Sequence, residues 1–175
     1  MPLLLDITPI QTERLVLRVP DASDTSAMLS FLGSDFAVYY GGPMDQEAAW
    51  QKFSSGVGQW LLRGYGMYSV VLKETGETIG MVGPHQPGHF PEPEMSWLLT
   101  APRHEGKGYA QEACEAVLAH LFTDLGWTSV VSYIDKSNLA SQRLAERLGA
   151  QPDANSKSPI SNCDAFRHTP MRGSA

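Results

Sequence analysis

The most regular pattern of apolar and polar positions in the chain lies between residues 110 and 125, where apolar residues recur at intervals of three and four. Polar residues occupy the opposite side, and Gly126 follows the last apolar position. This spacing predicts an amphipathic helix that ends at a left-handed glycine cap. Its apolar positions are Ala110, Ala113, Cys114, Val117, Leu118, Leu121, Phe122 and Leu125.

Shorter apolar runs, alternating or rich in β-branched and aromatic residues, predict strands on both sides of this helix. Prolines at 84, 87, 91 and 93 predict an extended loop over residues 84–93. A short final strand is predicted around Cys163, Ala165 and Phe166, and the chain is expected to fray after Pro170. The main strands are predicted at 14–18, 67–72, 78–82, 94–99 and 129–134.

Helical spacing, polar capping residues and terminal glycines predict three more helices. One covers residues 27–32, one runs from Asp45 to Gly64, and one runs from Asn138 to Gly149. The elements therefore follow the order strand, two helices, three strands, helix, strand, helix and final strand. This order predicts a mixed α/β fold.

The turn between the strand at 94–99 and the long helix is a candidate anion site. It contains Gly106 and Gly108, which let the backbone bend sharply and come close to a ligand. The first turn of a helix carries unpaired N–H groups and the positive end of the helix dipole, and both favour a phosphate. A glycine turn by itself is a weak signal, because many such turns serve geometry alone.

Composition narrows the classes of function. The 175 residues suffice for one substantial core, and we expect a single domain over 1–175. A formal net charge of −6 argues against general binding of nucleic acid. Two cysteines, Cys114 and Cys163, favour a reducing cytoplasm over a disulfide framework. The apolar run at residues 3–5 is too short for a membrane span and lacks a basic lead, so no targeting segment is expected.

Three histidines of the central region, His85, His89 and His104, do not have the spacing of metal ligands on one element. We therefore predict no metal site.

Three motifs in this order resemble the GNAT (general N-acetyltransferase) superfamily across nearly the whole chain. They are T-E-R-L-V-L-R at 12–18, G-K-G-Y-A-Q-E-A at 106–113 and N-L-A-S-Q-R-L-A-E-R-L-G at 138–149. The chain is most similar to the branch of the ribosomal-protein N-terminal acetyltransferases and related small-amine acetyltransferases. The resemblance implies a central, mostly antiparallel sheet with a V-shaped split, flanked by helices.

The resemblance implies that acetyl-CoA binds in the split, between the strands ending at Leu99 and Ile134. Its pyrophosphate would lie on the backbone amides between Gly106 and Ala110, which supports the anion site proposed above. Glu105 departs from the family motif, which prefers Arg or Gln there, and a carboxylate repels phosphate unless it points to solvent. The implied donor-binding set is Leu98, Leu99, Arg103, Glu105, Gly106, Lys107, Gly108, Tyr109, Ala110, Asn138, Ser141 and Arg143, with Lys136 as a further source of positive charge.

The implied chemistry is direct attack of a neutral amine on the thioester, which needs a proton acceptor, an oxyanion donor and a proton donor for the thiolate. Glu94 matches a family base, and Glu92 is the alternative. Ser141 matches a hydroxyl that meets the CoA sulfur, whereas Asn138 either binds the pantetheine arm or caps its helix. A backbone N–H at Leu98 or Leu99 would stabilise the oxyanion. Tyr133 is assigned no acid role.

The predicted function is therefore acetyl-CoA-dependent N-acetylation of a protein N-terminus or a small amine. The alternatives are a CoA-ester sensor or scaffold without turnover and a Rossmann-type nucleotide binder, which the missing third glycine disfavours. We expect no nucleic-acid or membrane partner. The sequence leaves open whether the protein forms a homodimer. The acceptor would be selected by residues 39–43, by the second helix with Trp50 and Trp60, and by the loop at 85–93.

Overall fold

The computed structural model describes residues 7–170 and confirms the predicted mixed α/β fold. The run at residues 3–5 and the end after Pro170 lie outside the described residues. The strands are β1 (Ile10–Gln11), β2 (Leu15–Arg18), β3 (Tyr68–Leu72), β4 (Thr78–His85), β5 (Glu94–Leu99), β6 (Val130–Asp135), β7 (Gln151–Pro152) and β8 (Cys163–His168). The α-helices are α1 (Thr25–Leu32), α2 (Gln46–Arg63), α3 (Tyr109–Ala119) and α4 (Leu139–Arg147).

The eight strands form one sheet in the order β1-β2-β3-β4-β5-β6-β8-β7. All neighbouring strands are antiparallel except β5 and β6, which run parallel. This arrangement confirms the mostly antiparallel sheet that the family resemblance implied. In residues 7–170, none of the helices combines the length and apolar character needed to cross a bilayer.

Helices cover both faces of the sheet, and the alternation of side chains along β5 shows how. Met95 and Trp97 belong to the core beneath α3 and α4, together with Cys114 of α3. Leu98 points to the other face, where it packs with α1 and α2. The alternation of period two along the strand therefore places successive residues in two separate cores.

The end of the long helix differs from the prediction. The α-helix stops at Ala119 and continues as a π-helical turn, His120–Asp124. A π turn contains one more residue than an α turn and so rotates the following residue around the axis. Leu125, predicted on the buried stripe, is 47% exposed. Gly126 has a φ of +69°, which confirms the left-handed cap.

Strand β4 is longer than predicted, because the sequence prediction ended it before Pro84. Pro84 is tolerated because β3 pairs with β4 only as far as Tyr68 opposite Val82, so Pro84 has a strand partner on one side alone. The consequence is that β4 reaches His85, which lies opposite Glu94 of β5.

A buried ion pair ties the start of α1 to the sheet. Asp24 is fully buried and its oxygens lie 2.8 and 2.9 Å from the guanidinium of Arg18 in β2. Ser69 and Thr78 donate to the same carboxylate at 2.7 and 2.6 Å, and Asp21 N–H at 2.9 Å. Burial alone would raise the pKa of Asp24, but these donors outweigh it and hold the pKa below its ordinary value.

We expect Asp24→Asn to lower the free energy of unfolding by about 3 kcal/mol at pH 7, because Arg18 loses its buried partner and keeps only the more exposed Asp21 carboxylate, 3.2 Å from its Nη1. Since the folded pKa of Asp24 is depressed, its contribution is present above the unfolded pKa of about 3.9 and is lost as the pH falls below it. Urea unfolding between pH 3 and pH 7 measures this difference. Asp35→Asn, at an exposed carboxylate, is the control. Equal losses for both variants would contradict the assignment.

Candidate active site

The two parallel strands in the middle of the sheet separate almost at once. β5 and β6 pair only at Glu94 and Val131. One residue further, the Ser132 hydroxyl donates to the Met95 carbonyl at 2.6 Å, and beyond that the strands diverge. The Tyr40 hydroxyl donates a hydrogen bond to the carbonyl of Trp97, which is the next β5 carbonyl on the same edge of the strand. The sheet therefore contains the V-shaped split.

The backbone of β5 shows which amides face this split. The N–H and C=O of one strand residue point to the same side, and successive residues alternate. The carbonyls of Met95 and Trp97 face the split, whereas the N–H of Thr100 bonds to Ile79 O, on the β4 side. The amide of Leu99 therefore points into the split, and the amide of Leu98 points toward β4.

A cavity of about 650 Å³ lies in the split and extends beneath α1 and α2. Its wall toward α1 and α2 is mainly apolar and includes three methionines, Met28, Met67 and Met81. Polar side chains of the lining come from β5 and α4 and also from α2, from the end of β4 and from the loop before β5. The principal lining residues are Met28, Leu32, Tyr39, Tyr40, Lys52, Phe53, Gly56, Met67, Met81, His85, His89, Phe90, Glu94, Met95, Trp97, Leu98, Asp135, Asn138 and Ser141.

Glu94 lies in this cavity at the start of β5 and is 7% exposed. Its Oε1 is 3.2 Å from Nδ1 of His85, the residue opposite it in the β4–β5 ladder. Both carboxylate oxygens of Glu92, by contrast, are held by Arg167, at 2.9 Å for Oε1 and 2.5 Å for Oε2. The hydrogen bond from Arg167 holds the pKa of Glu92 below its usual range. Of the two glutamates, Glu94 is the one on the cavity lining.

The first turn of α4 forms the opposite wall. The Ser141 hydroxyl accepts a hydrogen bond from the Trp97 indole at 3.2 Å, which leaves its own hydrogen free to be donated. Asn138 caps α4, because its Oδ1 accepts from Ser141 N–H at 3.1 Å. The capping alternative for Asn138 is therefore observed, although its side chain also borders the cavity.

Tyrosines near the split differ in their roles. The Tyr40 hydroxyl is buried against β5, and burial raises its pKa well above the ordinary value. Tyr133 lines the cavity, but its hydroxyl contacts Ser156 at 3.5 Å, and burial raises its pKa. Neither hydroxyl is an accessible proton donor with a lowered pKa.

The glycine turn has the geometry of an anion cradle. Gly106 and Gly108 have φ values of +70° and +79°, and no side chain caps the first turn of α3. The N–H groups at this end therefore have no intrahelical partner and point outward. Arg14 stabilises the turn through two contacts. Its Nη1 donates to Lys107 O at 2.9 Å, and its guanidinium carbon lies 4.5 Å from the centre of the Tyr109 ring.

Glu112 links the first two sequence motifs. Its Oε1 accepts from the Thr12 hydroxyl at 2.6 Å and from Arg14 N–H at 2.8 Å, and its Oε2 accepts from Arg14 Nε at 2.7 Å. The segment before β2 is thus fastened to α3 immediately after the glycine turn. The motifs at 12–18 and 106–113 are parts of one assembly.

The charged residues expected around the phosphates are all exposed. Arg103 pairs with Glu77, and Lys136 lies 3.6 Å from Asp164. The side chains of Lys107, Arg143 and Glu105 take part in no hydrogen bond or ion pair with residues 7–170. Exposed pairs of this kind are weak, so a ligand can displace them. The Glu105 side chain is exposed to solvent. Its carboxylate is therefore not buried at the position where a phosphate would bind.

The histidines do not converge on one centre. His85 and His89 line the cavity, and His104 is buried below the glycine turn, 3.4 Å from Glu77. Between residues 7 and 170, no group of three or more His, Cys, Asp or Glu side chains could hold a metal ion.

Sequence reasoning did not identify Lys52 as a cavity residue, and it included Tyr40 and His85 only as members of the acceptor-selecting segments at 39–43 and 85–93, without a role for either. His85 and Glu94 flank the loop at 86–93, and that position could have revealed their pairing. Lys52 lies on α2 one turn before Gly56, and both face the cavity. Trp50 and Trp60 do not line the cavity: Trp50 is 53% exposed and Trp60 belongs to the core.

A split sheet with a glycine turn leading into α3 defines an acyl-CoA-dependent transferase of the GNAT type. The family model for the acetyltransferase (GNAT) domain matches residues 14–151, so the chain belongs to the GNAT acetyltransferase family and is an acyltransferase. The Bacillus subtilis protein YkkB is 33% identical over 150 residues, which cover 81% of this chain and 84% of YkkB.

Solved structures show the same fold. An acetyltransferase from Agrobacterium tumefaciens has a TM-score of 0.87 and 34% identity, with 96% of this chain and 98% of that chain covered. The ribosomal L7/L12 α-N-protein acetyltransferase RimL, solved in complex with coenzyme A, has a TM-score of 0.67 and 15% identity, with 93% and 98% covered. The latter supports the predicted resemblance to the ribosomal-protein branch at the level of the fold.

We expect Gly106→Ala to raise the dissociation constant of CoA roughly tenfold, about 1.4 kcal/mol, by displacing the amides of the cradle. Gly126→Ala is a matched control, because Gly126 has a φ of +69° at the other end of the same helical segment and neither glycine has an atom near its added Cβ. Both should lose about 1 to 2 kcal/mol of stability through backbone strain. Calorimetric titration with CoA measures both dissociation constants. Equal affinity of the Gly106→Ala and Gly126→Ala variants for CoA would contradict the assignment of the glycine turn as the phosphate-binding cradle.

Proposed function

We propose that this protein transfers the acetyl group of acetyl-CoA to a primary amine that enters the cavity beside Glu94. The observation that carries this proposal is the juxtaposition, in one split, of a buried carboxylate, a free strand amide and a hydroxyl at the start of α4. Each of the three tasks of direct acyl transfer thus has a candidate group in the same cavity.

The proton acceptor is Glu94, with His85 beside it. An acceptor amine arrives as an ammonium ion and must lose one proton before its nitrogen can attack. Glu94 takes that proton, and His85, whose side chain is 30% exposed, connects the carboxylate to solvent. Glu92 is tied to Arg167 and serves to hold the proline-rich loop against β8.

The nitrogen lone pair then attacks the thioester carbonyl carbon, and the Leu99 amide donates to the oxygen that gains charge. As the C–N bond is completed the C–S bond breaks, and the electron pair leaves on sulfur. We assign the Ser141 hydroxyl as the donor of a proton to that thiolate. The nitrogen loses its second proton as the amide forms, and this proton restores the Ser141 hydroxyl, so the products are the N-acetyl amine and the thiol of CoA.

The remaining surface of the split offers groups that support binding of the donor. The cradle from Gly106 to Ala110 offers amides to the pyrophosphate, and Asn138 and Ser141 border the channel for the pantetheine arm. Lys107 and Arg143 are free to neutralise phosphate. The free thiols of Cys114 and Cys163 agree with a reducing compartment, which we propose to be the cytoplasm.

We expect Glu94→Gln to lower kcat/KM roughly 10²- to 10⁴-fold and Ser141→Ala roughly 10²-fold, because each removes a proton-transfer group. Release of CoA thiol, measured with a panel of N-terminal peptides, polyamines and aminoglycosides, tests both. Glu92→Gln is the control and should keep kcat within about threefold, since its carboxylate lies outside the cavity.

Unchanged turnover in both Glu94→Gln and Ser141→Ala would contradict the mechanism. If no acceptor in the panel is acetylated although the protein still binds CoA, the result would instead favour a CoA-ester sensor or scaffold without turnover.

Gly56 offers a test of where the acceptor binds. A side chain at this position would enter open space in the cavity, and the helix tolerates it because only Gly64, at the C-cap of α2, needs a left-handed φ. We expect Gly56→Leu to raise KM for the acceptor at least about tenfold while KM for acetyl-CoA stays unchanged. Gly58→Leu, on the same helix but outside the cavity lining, is the control. An equal effect on both substrates would place the acceptor elsewhere.

A further inference from the structure

The lining of the cavity as a whole carries few charged side chains. Among its residues are two carboxylates, Glu94 and Asp135, one ammonium, Lys52, and two histidines, His85 and His89. Both carboxylate oxygens of Asp135 accept hydrogen bonds from neighbouring residues. Its Oδ1 accepts from the Ser137 amide and hydroxyl at 2.8 and 2.6 Å, and its Oδ2 accepts from Asn162 at 3.0 Å. Glu94 is therefore the one cavity carboxylate with capacity for an incoming ammonium.

Lys52 is the counterpart of Glu94 on the facing helix. It lies on the face of α2 that borders the cavity, between Ala49 in the core and Gly56 on the lining. Within residues 7–170 it makes no ion pair shorter than 4.0 Å. Although the side chain reaches solvent, the cavity walls desolvate its ammonium and lower its pKa, an effect that attraction by Glu94 opposes. A cation held in this way attracts an anionic ligand group more strongly than one on an open surface does.

The cavity that contains these two charges has several large apolar side chains in its lining. Met28, Met67 and Met81 contribute flexible thioethers, and Phe53 and Phe90 contribute rings. Methionine side chains adapt to ligands of different shape, and none of these five offers a strong hydrogen-bonding group. A ligand that reaches both Glu94 and Lys52 in this cavity can therefore bury an apolar group against the lining.

We infer that the acceptor is a monoamine with an apolar body and one carboxylate, in which Glu94 receives the ammonium and Lys52 receives the carboxylate. This inference rests on the proposed function and adds the substrate class to it. A free amino acid with an apolar side chain has this chemistry, and so does a short peptide with an apolar first residue and an acidic second residue.

The same charges exclude polycationic acceptors. A polyamine or an aminoglycoside would bring a second ammonium into a cavity whose one uncommitted carboxylate already serves the reacting nitrogen. That second ammonium would face Lys52 and lose solvation against apolar walls without a partner.

Paired acceptors that differ only in the anionic group test this inference. Phenylalanine and phenethylamine share the amine and the ring, and only phenylalanine has a carboxylate. The dipeptide amides Phe-Asp and Phe-Asn form a second pair, which distinguishes a peptide source of the carboxylate from a free amino acid. The measurements are kcat/KM for acetyl transfer, with spermidine included, and calorimetric binding of each acceptor in the presence of CoA.

We expect the wild-type protein to favour the carboxylate-bearing member of at least one pair roughly tenfold to hundredfold, in turnover and in affinity, and spermidine to be the poorest substrate. Lys52→Met should remove this preference by weakening the anionic acceptor alone, with little change for the neutral partner. Arg63→Met, which removes an exposed cation from the same helix outside the cavity, should leave the preference intact.

Equal use of both members in each pair, or a Lys52→Met loss that is the same for both members, would overturn the assignment of Lys52 while acetyl transfer itself stands. Preference for spermidine would likewise overturn it. Failure of every acceptor to bind or react, with CoA still bound, would overturn the inference together with the transferase function.

Discussion

The separation of β5 and β6 is the constraint on which the site depends. Two parallel strands that pair at one position leave a backbone edge on each side, and buried N–H and C=O groups on such edges need partners. Ser132 and Tyr40 take the carbonyls of Met95 and Trp97. His168 steadies the first of these bonds, since its Nε2 lies 2.9 Å from the Ser132 hydroxyl, whose own hydrogen goes to Met95. Burial lowers the pKa of His168 to about 4, so the ring is neutral and donates at neutral pH.

The split has two walls because alternate residues of β5 face opposite sides of the sheet. Trp97 extends toward α4 and meets Ser141, whereas Glu94 and Leu98 face the cavity below α1 and α2. One strand thus presents its side chains to the donor wall and to the acceptor wall, with its free backbone edge between them. A reaction that joins two substrates at one carbon atom requires this convergence.

The two walls of the split, which we propose to serve the donor and the acceptor, differ in how their residues are held. On the donor side, Arg14 and Glu112 fasten the glycine turn to the segment before β2 through charge-assisted hydrogen bonds. On the acceptor side, methionines, an exposed Tyr39 and a glycine at position 56 leave room and flexibility. This difference agrees with the proposal that the first wall binds the acetyl donor and that the second selects the acceptor.

Local sequence patterns determined most of the fold and several elements of the candidate site. The periodicity of residues 110–122, the glycine turn and the capped helix at 138 are local features, so the helix start, the cradle and the placement of Ser141 follow from short-range rules. The π turn that exposes Leu125 and the extension of β4 past Pro84 escaped those rules, because each depends on neighbouring strands and packing. Only the tertiary structure placed His85 opposite Glu94, brought Lys52 across the cavity from it and directed the Leu99 amide into the split. These relations join residues distant in sequence, and the register of the sheet and the docking of α2 decide them.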